Sequence, residues 1–148
     1  MMIVADVLNA KTAHLVTAKA DMLLLDLLKT MINAGIGSIA VTSSNSKIVG
    51  LITERSIIEA AARSGSKVFE QAASSIMRSP VPVCRHGDTI SHAMRLMTDL
   101  RTRHLLVAME SDTPGIVSIG DLVKFRIRDT ELENLVLRDI AASRIMNG

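Results

Sequence analysis

The chain contains an internal repeat, and this repeat limits its fold more than any other feature. A shift of about 65 residues places the first half over the second. The phrase "GLITERSIIE", residues 50–59, then falls over "GIVSIGDLVK", residues 115–124, and Met31 falls over Met97. The fold must therefore hold two copies of one unit within 148 residues, the size of one ordinary domain.

Both halves carry the same predicted elements, in the order β-α-β-β-α. An extended piece is followed by an amphipathic helix, whose apolar positions in the second half are Ile90, Ala93, Met94 and Met97. Two strands joined by a polar turn come next, and a second helix begins at the hydroxyl residue of the phrase. The predicted strands are 13–16, 38–42 and 48–52, then 81–85, 104–108 and 115–117. Because neither half buries its apolar sheet face alone, we expect the halves to pack sheet to sheet.

The repeat suggests a division of the chain into two repeats, a linker and a helical tail. These segments are residues 1–64 (repeat 1), 65–75 (linker), 76–126 (repeat 2) and 127–148 (tail). In the tail, Thr130 and Glu133 have the spacing of a capping box, which predicts the start of a separate last helix. The apolar stripe of that helix would cover the core or meet a second subunit.

Composition argues against nucleic-acid binding. The chain has no Trp and no Tyr, so its core is aliphatic, with nine Met to fill gaps. Without aromatic rings it lacks the stacking platforms of single-strand binders, and a net charge of +2 from scattered residues gives little electrostatic support. A nucleobase would have to lie between aliphatic side chains.

No segment predicts membrane insertion, and we expect a cytoplasmic protein. The most apolar window, "MLLLDLLKTMI", is interrupted by Asp26 and Lys29 and is too short to span a bilayer. The first residues, "MMIVADVLNAK", have no basic region ahead of their apolar positions, unlike a signal peptide. The lone Cys84 excludes an intrachain disulfide and fits a reducing compartment.

The repeated unit, with its phrase "G-h-h-[ST]-x-x-D", resembles the cystathionine-β-synthase (CBS) domain, and two copies resemble a free-standing CBS pair. "TERSII" at 53–58 is similar to the family's frequent "TERDLL", and "TRHLLV" at 102–107 to its "IRHLPV". "IVSIGDLVK" is similar to small bacterial CBS-pair proteins. The resemblance spans residues 4–126 and implies an α/β (α+β) fold of two pseudo-symmetric repeats with a C-terminal helix.

The resemblance implies a regulatory sensor module and no enzyme. CBS pairs bind adenosine-containing molecules (AMP, ADP, ATP, NAD(H) or S-adenosylmethionine) in clefts between the repeats, so we expect a bound adenine nucleotide and no required cofactor. In each cleft the Asp of the phrase takes the ribose hydroxyls, and aliphatic side chains sandwich the base. The resemblance also implies a homodimer and a regulated protein partner.

Two interpretations of Ser118 and Asp121 stay open. A Ser at a helix N-cap with an acidic residue three positions later is a variant capping box. The same geometry offers a carboxylate that can accept from two adjacent ribose hydroxyls, next to a helix start that favours anions. By the resemblance, the other candidate residues of this cleft are Ile116, against the base, and Thr12, His14, Ile36 and Gly37 from the first repeat.

Two further candidates, Arg103 and His104, also have two interpretations. They are either solvated residues at a strand edge or phosphate contacts near the centre of the pair, where Arg suits bidentate phosphate recognition.

The first copy departs from the family pattern, since Ser56 stands where the phrase has Asp. A Ser offers one hydroxyl in place of a charged acceptor with two oxygens. By the resemblance, the candidate residues of this cleft are Thr53 and, from the second repeat, residues 81–84, which include Val83, with Thr102 and Arg103. We expect the cleft to bind an adenosine ribose more weakly, to bind another ligand, or to bind nothing.

No catalytic or metal site is predicted. The four His have no paired ligand spacing, and one Cys does not suggest zinc. Cys84 and His86 face the same way on a short strand, but nothing supplies an oxyanion hole or a third partner, so Cys84 reads as a small buried hydrophobe. The main alternative to a sensor is a ligand-free module that dimerises and regulates a partner; an enzyme and a nucleic-acid binder follow.

Overall fold

A computed structural model describes residues 1–11, 15–109 and 114–147 of the chain. Its helices and strands are α1 (Val4–Ala10), β1 (Thr17–Lys19), α2 (Leu24–Ala34), β2 (Ser38–Thr42), β3 (Ile48–Thr53), α3 (Glu54–Ser64), β4 (Val83–Arg85), α4 (Ile90–Asp99), β5 (His104–Ala108), β6 (Gly115–Ser118) and α5 (Ile119–Asn147). Two 3₁₀ helices, Gly65–Glu70 and Ala73–Ser75, lie in and around the predicted linker. The predicted β-α-β-β-α order is confirmed in both halves, but the first strand is Thr17–Lys19, after the predicted 13–16, and the additional helix α1 precedes it.

The first three strands form one sheet in the order β1-β2-β3. β1 runs parallel to β2, and α2 is the crossover between them, while β2 and β3 are antiparallel. α2 ends at Gly35, whose φ of 65° is left-handed and suits a residue without Cβ. The helix buries residues at helical spacing against alternate strand positions; the core includes Leu24, Leu27, Met31, Ile39, Val41 and Ile52.

The last three strands form a second sheet with the same topology, in the order β4-β5-β6. Here α4 is the crossover, and the start of α5 covers the same face of the sheet. The core of this part includes Ile90, Ala93, Met97, Leu105, Val107, Val117 and Leu122.

The helix α1 packs against the second of these sheets. Val4 and Val7 are fully buried in its core, the Val4 N–H donates to Asp88 O (2.8 Å), and the Ala5 N–H donates to His86 O (2.8 Å). One compact unit accordingly comprises the described residues of Met1–Ala13 and Val83–Gly148, and the other comprises those of His14–Pro82. The spatial units and the sequence repeats are therefore different divisions of the chain.

The segment ahead of β4 has the matching role in the other unit. The Ala73 N–H donates to Met22 O (2.8 Å), and the Ser74 N–H donates to Ala20 O (3.0 Å). The Met77 side chain then lies directly against Gly50, where an added Cβ would overlap it.

The Leu8 side chain lies in the same way against Gly115, the glycine that opens the second phrase. A Cβ added at Gly115 would come 2.6 Å from Leu8 Cδ2. The glycine that opens each phrase is therefore explained by the close approach of a side chain from the segment ahead of the other repeat's first strand.

The predicted C-terminal helix is confirmed, but it continues the helix that begins after β6, so the prediction of a new helix start at Thr130 and Glu133 is wrong. α5 is continuous over 29 residues, and the Thr130 hydroxyl donates to Arg126 O (3.0 Å) inside it. A threonine in mid-helix can bond the carbonyl four residues back, and no Gly or Pro interrupts residues 121–147. None of the helices in the described ranges is long and apolar enough to cross a membrane.

Gly50→Ala should lower the free energy of unfolding by about 1–3 kcal/mol, because the new methyl group would overpack against Met77. Chemical denaturation followed by circular dichroism measures this. Gly87→Ala is the matched control, since nothing lies within 4 Å of a Cβ at that position. Equal stabilities of the two variants would contradict the close approach at Gly50.

Candidate functional site

Ser118 and Asp121 form a reciprocal capping box where β6 meets α5. The Ser118 N–H donates to Asp121 Oδ2 (2.9 Å), and the Asp121 N–H donates to Ser118 Oγ (3.1 Å). Two N–H groups near the helix start are thereby satisfied. Among the described residues, Asp121 Oδ1 and the Ser118 hydroxyl proton have no hydrogen-bond partner. The capping box is thus confirmed, and Asp121 Oδ1 and the Ser118 hydroxyl proton can still bond a ligand.

Lys11 binds the same carboxylate from the end of α1. Its Nζ donates to Asp121 Oδ2 (2.8 Å) and to Ile116 O (3.0 Å). Both side chains of the ion pair are partly exposed, 34% for Lys11 and 28% for Asp121. No local sequence pattern points to Lys11, because 110 positions separate it from Asp121.

The electrostatic balance keeps Asp121 ionised. Burial alone would raise the pKa of this carboxyl, but the hydrogen bond from Lys11, the N–H of Ser118 and the positive charge of Lys11 outweigh it. The pKa of Asp121 is therefore held below its ordinary value. At neutral pH the group is a charged acceptor.

Three more candidate residues lie near the junction of β6 and α5. His104 pairs with Ser118 across the two strands, and the neighbouring Ile116 belongs to the same strand as Ser118. The Arg103 carbonyl accepts the Ile119 N–H at the start of α5 (2.8 Å). The unit thus brings Arg103, His104, Ile116, Ser118 and Asp121 together at one end of the sheet.

Strand alternation puts part of this set on one face. Leu105 and Val117 point into the core, so their neighbours His104, Ile116 and Ser118 lie on the opposite face. All three are half-buried there, while Arg103 is exposed.

The remaining candidates are placed elsewhere or lie outside the described residues. Thr12 and His14 are not among the described residues. Ile36, Gly37 and Thr53 belong to the other compact unit, and Val83 opens β4, with 43% of its surface exposed. The contribution of these residues to a nucleotide site stays a prediction.

The first copy has the same capping box and no carboxylate in it. The Thr53 N–H donates to Ser56 Oγ (2.8 Å), and the Ser56 N–H donates to Thr53 Oγ1 (3.2 Å). The single Ser56 hydroxyl proton goes to Thr53 O (2.7 Å). The carboxylate of the neighbouring Glu54 lies beside Gly37. It would be in ordinary van der Waals contact with a Cβ at that position. This box is complete in itself.

The position of Lys11 also differs in the first copy. Leu8 and Met77 are equivalent in the repeat, because each lies against the glycine of a phrase. Three residues after each of them stand Lys11 and Pro80, which are therefore also equivalent. Lys11 and Asp121 therefore meet in one compact unit, and the matching positions of the other unit hold Pro80 and Ser56.

A backbone contact replaces the lysine in the first copy. Leu51, which matches Ile116, accepts the Arg78 N–H (2.8 Å) and donates its own N–H to Arg78 O (3.1 Å). The corresponding carbonyl of Ile116 accepts from the Lys11 ammonium. The carbonyl at this position thus accepts from a backbone N–H in one copy and from a charged side chain in the other.

Cys84 is a buried hydrophobe, as predicted, with 2% of its surface exposed. Burial, with a smaller contribution from the Asp88 charge, raises the pKa of its thiol to about 11. The thiol is therefore protonated at neutral pH, which is unlike a nucleophilic cysteine. Within the described ranges, no three His, Cys, Asp or Glu side chains gather as a metal site.

Comparison with known proteins identifies the family. The CBS-domain profile matches residues 4–63 and 73–128. A CBS-domain protein of Agrobacterium tumefaciens has a similar crystal structure, with 34% identity and a TM-score of 0.79, over 84% of this chain and 92% of that one. The chain belongs to the CBS-domain family and carries a pair of these domains.

Two other relatives extend the comparison. A CBS domain pair crystallised with 5′-methylthioadenosine and S-adenosyl-L-methionine shares the fold, with a TM-score of 0.74 and 19% identity, over 87% of this chain and 98% of that one. An uncharacterised 33.4 kDa protein of Thermofilum pendens is 30% identical over 110 residues, 74% of this chain. This chain spans only 36% of the length of that relative.

Lys11→Met should raise the pKa of Asp121, because the variant removes the bonding and charge of the lysine and leaves the burial. A carbon-detected NMR titration of the carboxyl groups measures this. Lys124→Met, which changes an exposed lysine on the next turn of α5, should leave the Asp121 pKa unchanged. An unchanged Asp121 pKa in Lys11→Met would contradict the ion pair.

The same pair makes the folded state sensitive to acid. A carboxyl with a lowered folded pKa contributes stability that is present above its unfolded pKa and is lost as the pH falls through the folded pKa. The stability difference between wild type and Asp121→Asn should therefore shrink from pH 7 to below pH ~3.5. Urea denaturation at the two pH values checks this, and a difference that grows with acid would contradict it.

Cys84 should react slowly with iodoacetamide in the native protein at pH 8, since its thiol is buried and protonated. Unfolding in urea should accelerate alkylation by at least about tenfold, because the free thiol regains its ordinary pKa. Mass spectrometry of timed samples measures the rates. Equal native and unfolded rates would revive a reactive role for this residue.

Proposed function

We propose that this CBS pair is a regulatory module that binds an adenosine-containing ligand through Asp121 and reports occupancy by a conformational change. The observation that carries the proposal is the state of Asp121. It is an ionised carboxylate at a helix start, with Oδ1 lacking a partner among the described residues.

The chemistry of the surrounding groups suits a ribose. An ionised carboxylate only accepts hydrogen bonds, and a ribose presents two adjacent hydroxyl donors. Oδ1 has two lone pairs and can accept both hydroxyls, while Oδ2 keeps its bonds from Lys11 and the Ser118 N–H. The Ser118 hydroxyl donates from the same helix start.

The neighbouring side chains suit the rest of a nucleotide. Ile116 is half-buried and gives an aliphatic surface for an adenine ring. Arg103 is exposed at the same end of the sheet and supplies a guanidinium for a phosphate. The CBS pair crystallised with two adenosyl compounds supports an adenosyl group as the common ligand chemistry.

The proposed output is the long helix that begins at the site. Asp121 lies in the first turn of α5, so a ligand that bonds this carboxylate acts on the N-terminal turn of a 29-residue helix. Further along, α5 exposes apolar side chains, which are Leu132, Leu135, Val136, Leu137 and Ile140. We expect a homodimer or a regulated protein partner to read this helix, and the ligand shifts the population only if it binds one arrangement better.

A ligand-free structural module is the second candidate. Its support is that both capping boxes are complete and Lys11 already neutralises Asp121. Such a module would use the exposed apolar residues of α5 in the same way, with no small molecule to control it. An enzyme has less support, because the Ser118 oxygen already serves the helix cap by accepting the Asp121 N–H.

The sensor proposal predicts that AMP, ATP, NADH or S-adenosylmethionine at millimolar concentration raises the melting temperature of the wild type. Asp121→Asn, which keeps the shape of the cap and removes the charge, should weaken binding of the stabilising compound by about tenfold or more. Isothermal titration calorimetry measures the dissociation constants.

Ser56→Ala is the matched control, because it alters the pseudo-equivalent position in the copy without a carboxylate. We expect its affinity to equal that of the wild type. Melting curves that none of the four compounds moves would favour the structural module. Equal losses in Asp121→Asn and Ser56→Ala would remove the special role of Asp121.

A further inference from the structure

We infer that Lys11 is a specificity-determining residue, which makes the Asp121 site prefer phosphorylated adenosine ligands to neutral or cationic adenosyl ligands. The inference rests on the proposed function and adds the ligand class. It starts from an observation that the proposed function does not use, the ion pair between Lys11 Nζ and Asp121 Oδ2 at 2.8 Å.

The bonding of the ammonium leaves it able to take a ligand. A lysine ammonium has three donors, and Lys11 uses two, on Asp121 and on the Ile116 carbonyl. The third N–H can donate to a phosphate oxygen while the first two bonds persist. A phosphate thus gains a charged donor without breaking the contacts already made, whereas a neutral nucleoside offers this donor only uncharged acceptors, which form weaker bonds.

The position of Lys11 is set by packing. Its own N–H donates to Leu8 O (3.0 Å) at the end of α1, and the Leu8 side chain lies against Gly115 in the strand that carries Ile116. The start of the lysine stem is therefore held at a fixed distance from the strand, and only the stem rotates. Such a preorganised donor loses less freedom on binding than a lysine on a free loop.

The charge of Lys11 decides which ligands the carboxylate admits. Asp121 without its lysine would present an uncompensated negative charge, which repels a phosphate and attracts a sulfonium such as that of S-adenosylmethionine. With Lys11 the pair is neutral, and the exposed Arg103 makes this end of the sheet positive. Without Lys11 the charges of Asp121 and Arg103 cancel, and with it one positive charge remains at this end of the sheet; electrostatic complementarity of this kind controls specificity.

A comparison of the two capping boxes distinguishes a ligand-binding role of Lys11 from a purely structural one. The capping box of Thr53 and Ser56 is complete without a lysine, and Pro80 stands at the position of Lys11. The fold of a repeat therefore does not need the cation. Lys11 contacts the capping box that contains a carboxylate, and no lysine stands at the matching position beside the other box, as expected of a residue that serves the ligand.

The test compares three probes, AMP, adenosine and S-adenosylmethionine, by isothermal titration calorimetry at constant ionic strength. The wild type should bind AMP more tightly than the other two. Lys11→Met, which keeps the stem and removes the charge, should weaken AMP by about tenfold and leave adenosine and S-adenosylmethionine unchanged or tighter. Lys11→Arg should keep the preference for AMP, and Lys124→Met should behave as the wild type.

Each other outcome has a distinct meaning. Equal weakening of all three probes in Lys11→Met would mean that the lysine only positions Asp121, and would overturn the inference while leaving the proposed function. A wild type that binds AMP and adenosine equally would also overturn the inference and leave the proposed function. A wild type that binds none of the three probes would overturn the proposed function itself, and the inference with it. Circular dichroism melting of each variant confirms that it is folded.

Discussion

The candidate site depends on one long-range contact, the packing of α1 against the sheet of β4, β5 and β6. Leu8 lies against Gly115, and Lys11 follows three residues later, within reach of the carboxylate at the start of α5. Neither the ion pair nor the bond to Ile116 O would form if α1 packed elsewhere. The first residues of the chain are therefore part of the chemistry of its second repeat.

The two repeats share a scaffold and differ in charge. In both, a hydroxyl residue closes the first turn of a helix with the side chain three positions later, and this bond is local and needs no ligand. In the second repeat this side chain is Asp121, which caps the helix through Oδ2 and leaves Oδ1 without a hydrogen-bond partner among the described residues. In the first repeat it is Ser56, whose only proton is already donated to the backbone. A repeated fold thus supports a single acidic site.

Local features of this protein were readable from its sequence, and long-range ones were not. The strands at 38–42 and 104–108 and the capping box of Ser118 depend on neighbours in the chain, and the structure has them as predicted. Lys11 was missed because its partner is 110 positions away. The false start at Thr130 has a physical cause, since a hydroxyl that can cap a helix can also bond the carbonyl of a preceding turn.

Backbone amide mapping by NMR tests most directly the central claim, that a nucleotide binds through Asp121. AMP would be titrated into labelled protein while the signals of both capping boxes are followed. The account predicts saturable shifts at Lys11, Ser118 and Asp121, with smaller shifts or none at Thr53 and Ser56. Shifts confined to Thr53 and Ser56, or of equal size in both boxes, would contradict it.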